Sequence, residues 1–262
     1  MGESLVIASG KGGVGKTSVS INLAVALAQL GKKVTILDAD IEMANVELRL
    51  RLDGAGVSLH DVLAGKANIM EAIYDGPGGL KVVPCGTSLE GLRSADQSRL
   101  GDVLRELLEK AETDLLIIDA PAGLGASLSA LAVAQEMLLV VNPEIASVAD
   151  AMKVKATYEE LDGHLLGVVV NRVTYDEEDL KIEEIEALLE ADVIAVVPED
   201  REIKKAASYR EPLVLVKPYS DAAKAITKLA RDISDNKYGP AEGHKEDIVS
   251  RLLSGLFGRK KG

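Results

Sequence analysis

The sequence predicts an α/β fold, a mostly parallel twisted sheet with helices on both faces, stacked in three layers α/β/α. Short apolar runs recur along the chain with stretches of helical periodicity between them. Right-handed crossovers between such strands place helices on both faces. Composition is the second observation: with no Trp, one Phe and six Tyr in 262 residues, the core must come from Ala, Val, Leu and Ile. That mix suits strands buried on both faces. Apolar residues are 47% of the chain against 27% charged, enough for a sizeable interior and too many for global disorder. One α/β domain can absorb this length.

Taken in order, the runs at 5–8, 34–37, 82–83, 115–118, 137–141, 165–170 and 193–197 read as buried strands. Segments near 17–30, 98–111, 147–161, 179–190, 201–210 and 220–234 space their apolar residues by three and four and read as helices. No internal repeat interrupts them. A polar run from Ser234 to Lys245 contains Gly239, Pro240 and Gly243 and reads as a linker. The expected organisation is a domain over 1–234, a linker over 235–245 and a separate helix over 246–262.

Lys plus Arg number 30 and Asp plus Glu 42, a net charge of −12. Most of the surface therefore repels a nucleic-acid backbone or an anionic lipid, and contact with either needs a local basic patch. A nucleic-acid partner is not expected. The lone Cys85 excludes an intramolecular disulfide, a thiolate-rich metal site and an iron-sulfur cluster within one chain. Neither a leader nor an apolar run of about 18 residues is evident, so the expected location is cytoplasmic.

Directly after the first apolar run, G-K-G-G-V-G-K-T at 10–17 fits G-x-x-x-x-G-K-[ST] and opens a helical stretch. Gly12, Gly13 and Gly15 let the backbone curl so that successive N–H groups, with Val14 and Ser18 in the same cradle, converge on an anion at the helix start. Lys16 can reach the β and γ phosphates, and Thr17 offers a hydroxyl to Mg2+. The fold is thus expected to be the P-loop NTPase form, with a magnesium nucleotide as cofactor.

With Lys11 included, the loop resembles the K-G-G-x-G-K-T signature of the deviant Walker A (MinD/ParA) P-loop ATPase family. The resemblance implies a homodimer closed by ATP, with Lys11 reaching the partner's nucleotide; alternatively Lys11 only adds charge to its own site. The second strand ends in L-D-A-D, placing Asp38 and Asp40 at the carboxyl edge of the sheet, where ligands of open α/β folds sit. In the resembled family the residue matching Asp40 orients or activates the attacking water. Asn45 lies in the same switch loop, and Asp38 matches a group supporting the magnesium waters. Capping of the following turn is the competing role for both carboxylates. In L-L-I-I-D-A-P-A-G, Asp119 closes a strand as a Walker B carboxylate that holds magnesium through water. Ala120 follows it, so the Glu base common in other P-loop ATPases is missing there, which favours Asp40. Pro121, Ala122 and Gly123 resemble a second switch, with the Gly123 N–H sensing the γ-phosphate.

The base expected is adenine, hence ATP: after Asn171 the run N-R-V-T puts Thr174 where guanine recognition needs a carboxylate. The resemblance sets Asn171, Arg172 and the loop Pro198, Glu199, Asp200 around adenine. The segment N-P-E-I-A-S-V-A-D-A at 142–151 is similar to a dimer-facing and partner-facing region, making Glu144 and Asp150 candidate interface residues, with plain surface charge as the alternative, and an activating protein an expected partner.

At the far end, Ile248, Val249, Leu252, Leu253, Leu256 and Phe257 fall on one helical face, followed by Arg259, Lys260 and Lys261. This reads as an amphipathic helix for an anionic membrane surface and is similar to the family's membrane-targeting tail; docking on its own domain or in a protein groove is the alternative. The expected function is a MinD-like ATPase, dimeric with ATP and reversibly peripheral on the inner face of the cell membrane, acting in division-site selection or spatial positioning. A ParA-like DNA or cargo positioner and an ATP-dependent small-molecule enzyme are the alternatives.

Overall fold

The computed structural model describes residues 2–238 apart from 53, 55 and 124–127. In chain order the elements are β1 (Glu3–Ala8), α1 (Lys16–Gln29), β2 (Val34–Asp38), α2 (Val46–Arg49), α3 (Leu59–Leu63), β3 (Tyr74–Asp75), β4 (Lys81–Val83), α4 (Leu89–Ser94), α5 (Leu100–Lys110), β5 (Leu115–Asp119) and α6 (Leu128–Val133). They continue as β6 (Glu136–Val141), α7 (Ile145–Glu160), β7 (His164–Val173), α8 (Ile182–Leu189), β8 (Val193–Pro198), α9 (Arg201–Ser208), α10 (Leu213–Val216) and α11 (Asp221–Ser234).

One sheet carries all these strands in the order β3-β4-β2-β5-β1-β6-β7-β8. Pairing is parallel throughout except between β3 and β4. The expected α/β/α architecture is therefore present. Strand side chains alternate, so β1 feeds both layers: Leu5 and Ile7 enter the core shared with α1 and α11, while Val6 and Ala8 enter the core shared with α5 and α7. Both faces of the central strands are dry, which is why their sequences read as continuous apolar runs.

The chain leaves β1 toward β2 on one side and later adds β6 on the other. β1 thus lies at the topological switch point, where a crevice opens at the carboxyl ends of the strands. β2, β5 and β1 are adjacent there, and Asp38 and Asp119 sit opposite each other in the β2–β5 register.

The sequence reading did not find β3, nor the helices α2, α3, α4, α6 and α10. Each has six residues or fewer, too few to display a period. The tail over 246–262 and most of the linker lie outside the described residues. Among the described residues no helix is long and apolar enough to cross a membrane.

Candidate nucleotide site

The loop between β1 and α1 is shaped by two left-handed glycines, Gly13 at φ 82° and Gly15 at φ 94°, a region other residues enter only with strain. Gly15 caps α1 and has no side chain to bond the first helical N–H groups, the ones suited to an anion. Gly10 is required for a different reason. An added Cβ there would lie 2.2 Å from the Asp150 carbonyl carbon and 2.4 Å from the Ala151 nitrogen, so the loop rests directly on the backbone of α7.

Behind the loop lies a buried polar network. Lys16 Nζ donates to Asp119 Oδ1 at 3.0 Å, and the Thr17 hydroxyl donates to Asp119 Oδ2 at 2.7 Å. Ser20, which the sequence reading missed, donates to Asp119 Oδ1 at 2.7 Å. Its signal was its position one turn beyond Lys16 and Thr17 on the same helix face. Asp119 is thereby ringed by one ammonium and two hydroxyls, and all four side chains are buried.

Asp38, also buried, gives both oxygens to backbone N–H groups: Oδ1 accepts from Asp40 at 3.1 Å, and Oδ2 from Asn45 at 2.7 Å and Val46 at 2.9 Å. Burial, and then the charge of Asp119, push its carboxyl well above the ordinary carboxylate range, against the pull of these three hydrogen bonds. Asp40 stands in the loop so held, its Oδ1 accepting from the Met43 N–H at 3.1 Å and its Oδ2 lying 3.5 Å from the Asn45 amide. Burial raises its pKa, partly offset by the Met43 N–H and then by Lys16.

Of the other sequence-derived residues, Asn171 is buried and its amide donates to the Val14 carbonyl at 2.7 Å, bracing the phosphate loop from below. An added Cβ on Gly15 would lie 2.3 Å from that amide nitrogen. Arg172 pairs with Glu199 at 3.9 Å, and Asp200 caps α9 through the Glu202 N–H at 2.8 Å. Pro198 ends β8, so this group forms one rim beside the loop. The Ser18 hydroxyl accepts from Arg49 at 2.7 Å, a second link the sequence reading missed. Gly123, at φ 81°, donates its N–H to the Ser9 carbonyl at 2.9 Å. Lys11 extends to Glu144 at 3.8 Å, with both side chains about half exposed or more. Asp150 pairs with Lys153 at 3.0 Å on the same helix.

The donors nearest the loop fit magnesium. Thr17 and Asp119 offer hard oxygens with neither thiolate nor imidazole among them, the set Mg2+ selects while it keeps most of its waters.

The CobQ/CobB/MinD/ParA nucleotide binding domain matches residues 5–213. An uncharacterized ATP-binding protein of Methanocaldococcus jannaschii is 48% identical over 99% of this chain and 98% of its own. Among solved structures, the cell division ATPase MinD of Pyrococcus furiosus shares 41% identity with a TM-score of 0.85, over 90% of this chain and 100% of that one. The septum site-determining protein MinD of Pyrococcus horikoshii, complexed with Mg-ADP, shares 37% identity with a TM-score of 0.85, over 93% and 100%. A glycine loop at the switch point, backed by a carboxylate shared among Lys16, Thr17 and Ser20, is thus found in a chain that belongs to the CobQ/CobB/MinD/ParA nucleotide-binding family, as a MinD-like deviant Walker A P-loop ATPase.

Proposed function

We propose that this chain binds ATP with Mg2+, closes into a homodimer around the nucleotide, attaches to anionic membrane through paired C-terminal helices and leaves when ATP is hydrolysed. The observation that carries the reading is the phosphate loop itself, with Lys16 and Thr17 anchored on Asp119 at 3.0 and 2.7 Å. Lys16 and the loop N–H groups hold the phosphates, and Thr17 and Asp119, with Asp38 supporting the bound waters, would hold the magnesium ion, which neutralises phosphate charge. Asp40 orients the attacking water, and the Gly123 N–H senses the γ-phosphate by exchanging the Ser9 carbonyl, its acceptor in this structure at 2.9 Å, for a phosphate oxygen. Asn171, Arg172, Pro198 and Asp200 frame the adenine side. Lys11, half exposed and 3.8 Å from Glu144, reaches the nucleotide of the second copy; its exposure supports this reading. Glu144 and Asp150 are the residues that would meet that copy or an activating protein.

Six apolar side chains of the tail, Ile248, Val249, Leu252, Leu253, Leu256 and Phe257, give one helix only marginal lipid affinity once its ordering is counted. Two tails on one dimer gain roughly 10² to 10⁴ in avidity. Nucleotide state then switches attachment, as spatial positioning of a division or cargo apparatus requires. The experiment is cosedimentation with anionic liposomes under ADP, ATP and a non-hydrolysable ATP analogue. Sedimentation with ATP and the analogue only, abolished by Lys16→Ala and by deletion of residues 246–262, is expected. Equal sedimentation under ADP would refute the switch.

A further inference from the structure

The loop carrying Asp40 is gripped from two sides, and only one grip belongs to the nucleotide site. Asp38 holds the N–H groups of Asp40, Asn45 and Val46. From the other side His60, in α3 and 3% exposed, places Nε2 2.8 Å from the carbonyl oxygen of Ile41, the residue after Asp40. A carbonyl can only accept, so Nε2 carries the proton and donates. Cys85 Sγ lies 3.5 Å from the same nitrogen, whereas Nδ1 is buried with no hydrogen-bond partner among the described residues.

The ring cannot swing away. An added Cβ would lie 2.9 Å from Nδ1 if placed on Gly86 and 3.1 Å if placed on Gly91, so backbone walls the imidazole in. The frame behind it is rigid as well: the N–H groups of Leu59 and His60 donate to the carbonyls of Pro84 and Cys85 at 2.8 and 3.0 Å. Glu47, buried in the first turn of α2, accepts the Gly86 N–H at 2.9 Å. The segment from 84 to 86 therefore anchors both His60 and the far end of the Asp40 loop.

We infer that His60 is a positioning residue for the ATPase reaction, tethering the Ile41 carbonyl so that the adjacent Asp40 is held at the phosphate loop. A packing role alone would need neither a donor on that nitrogen nor an acceptor on that loop; an apolar side chain of similar size would fill the space. The inference rests on the reading of Asp40 given above. Its first readout is taken without nucleotide, so tether and catalytic role fail separately.

The test compares His60→Leu, His60→Asn and His60→Gln. The glutamine amide nitrogen reaches the place of Nε2, and that of asparagine falls short of it. Hydrogen exchange of the amides at 40, 45 and 46 is followed in the nucleotide-free protein, with kcat, KM and Mg-ADP affinity measured beside it. Leu and Asn are expected to speed exchange at these amides and to lower kcat about 10- to 100-fold, the scale of a misplaced catalytic group, with KM and Mg-ADP affinity nearly unchanged. Gln restores both protection and kcat. The inference is overturned if Asn leaves exchange and kcat at wild-type values, if KM rises while kcat holds, or if Gln does no better than Asn. Should the leucine variant not fold, the Asn and Gln pair carries the same expectations. A wild-type chain that hydrolyses no ATP, or turns over equally well as Asp40→Ala, refutes the ATPase reading and leaves the exchange result standing.

Discussion

Ser20→Ala removes one hydroxyl from a fully buried position and leaves the α1 backbone intact. The Ser20 oxygen lies 2.7 Å from Asp119 Oδ1 and 3.0 Å from the Lys16 carbonyl. A hydroxyl has one proton, and the shorter contact runs to a carboxylate. A hydrogen bond to a charged acceptor contributes about 1.5–3 kcal/mol, and alanine returns up to about 0.5 kcal/mol through helix propensity. The net loss is about 1–2.5 kcal/mol, or roughly 2–10 °C in Tm for a chain of this size. Thermal and urea unfolding of the nucleotide-free protein measure it. Asp119→Asn supplies the control, because a cost that passes through the carboxylate shrinks when that charge is gone. The cycle should show coupling of at least about 1 kcal/mol. A Ser20→Ala cost below about 0.5 kcal/mol, or an equal cost in both backgrounds, would refute the network as the reason for this serine.

Gly10→Ala drives a Cβ into the Asp150 and Ala151 backbone at 2.2–2.4 Å, so the phosphate loop must lift from α7. A stability cost of about 1–3 kcal/mol and at least about tenfold weaker Mg-ATP binding by calorimetry are expected, and wild-type affinity would contradict it. Asp40→Ala is expected to bind ATP, hydrolyse it slowly and accumulate dimer in sizing chromatography; a strictly monomeric variant under ATP would contradict its role. Glu136 lies at the opposite edge of the sheet, beside Glu3, Tyr158 and, at 3.5 Å, His164 Nδ1. Burial, and then the Glu3 charge, push its carboxyl up to about 7. An acid raised in the folded state stabilises fully below its unfolded pKa of about 4.3 and loses that contribution as pH rises through about 7. Glu136→Gln should therefore gain stability relative to wild type between pH 5 and pH 8 in urea titrations, and a pH-independent difference would exclude it.

What the sequence disclosed followed the range of its signals. The runs containing Leu5, Ile36 and Ile117 announced strands because both faces are buried, and the glycine loop fixed the positions of Lys16 and Thr17. Tyr74–Asp75 and the short helices gave no period to read. Asp38 and Asn171 were legible as polar residues at strand ends. Their bonds to the Asn45 and Val46 N–H groups and to the Val14 carbonyl were not, since those partners are main-chain atoms that no residue identity encodes. His60 left no trace at all: its tie to Ile41 joins two segments whose neighbourhood exists only after β2 and β4 pair. The tail over 246–262 stays an expectation from periodicity and charge.

The alternation along β1 carries a consequence for how such a chain can change. Leu5 and Ile7 answer to one set of helices, Val6 and Ala8 to another, with the strand backbone as a wall between them. Substitutions in the outer helices of opposite layers, more than about 10 Å apart and with no shared partners, should carry penalties that nearly add. The outer helices of one layer can drift and refit among themselves while the opposite layer and the strand tips stay undisturbed, leaving room to acquire new surfaces without relearning how to grip a phosphate.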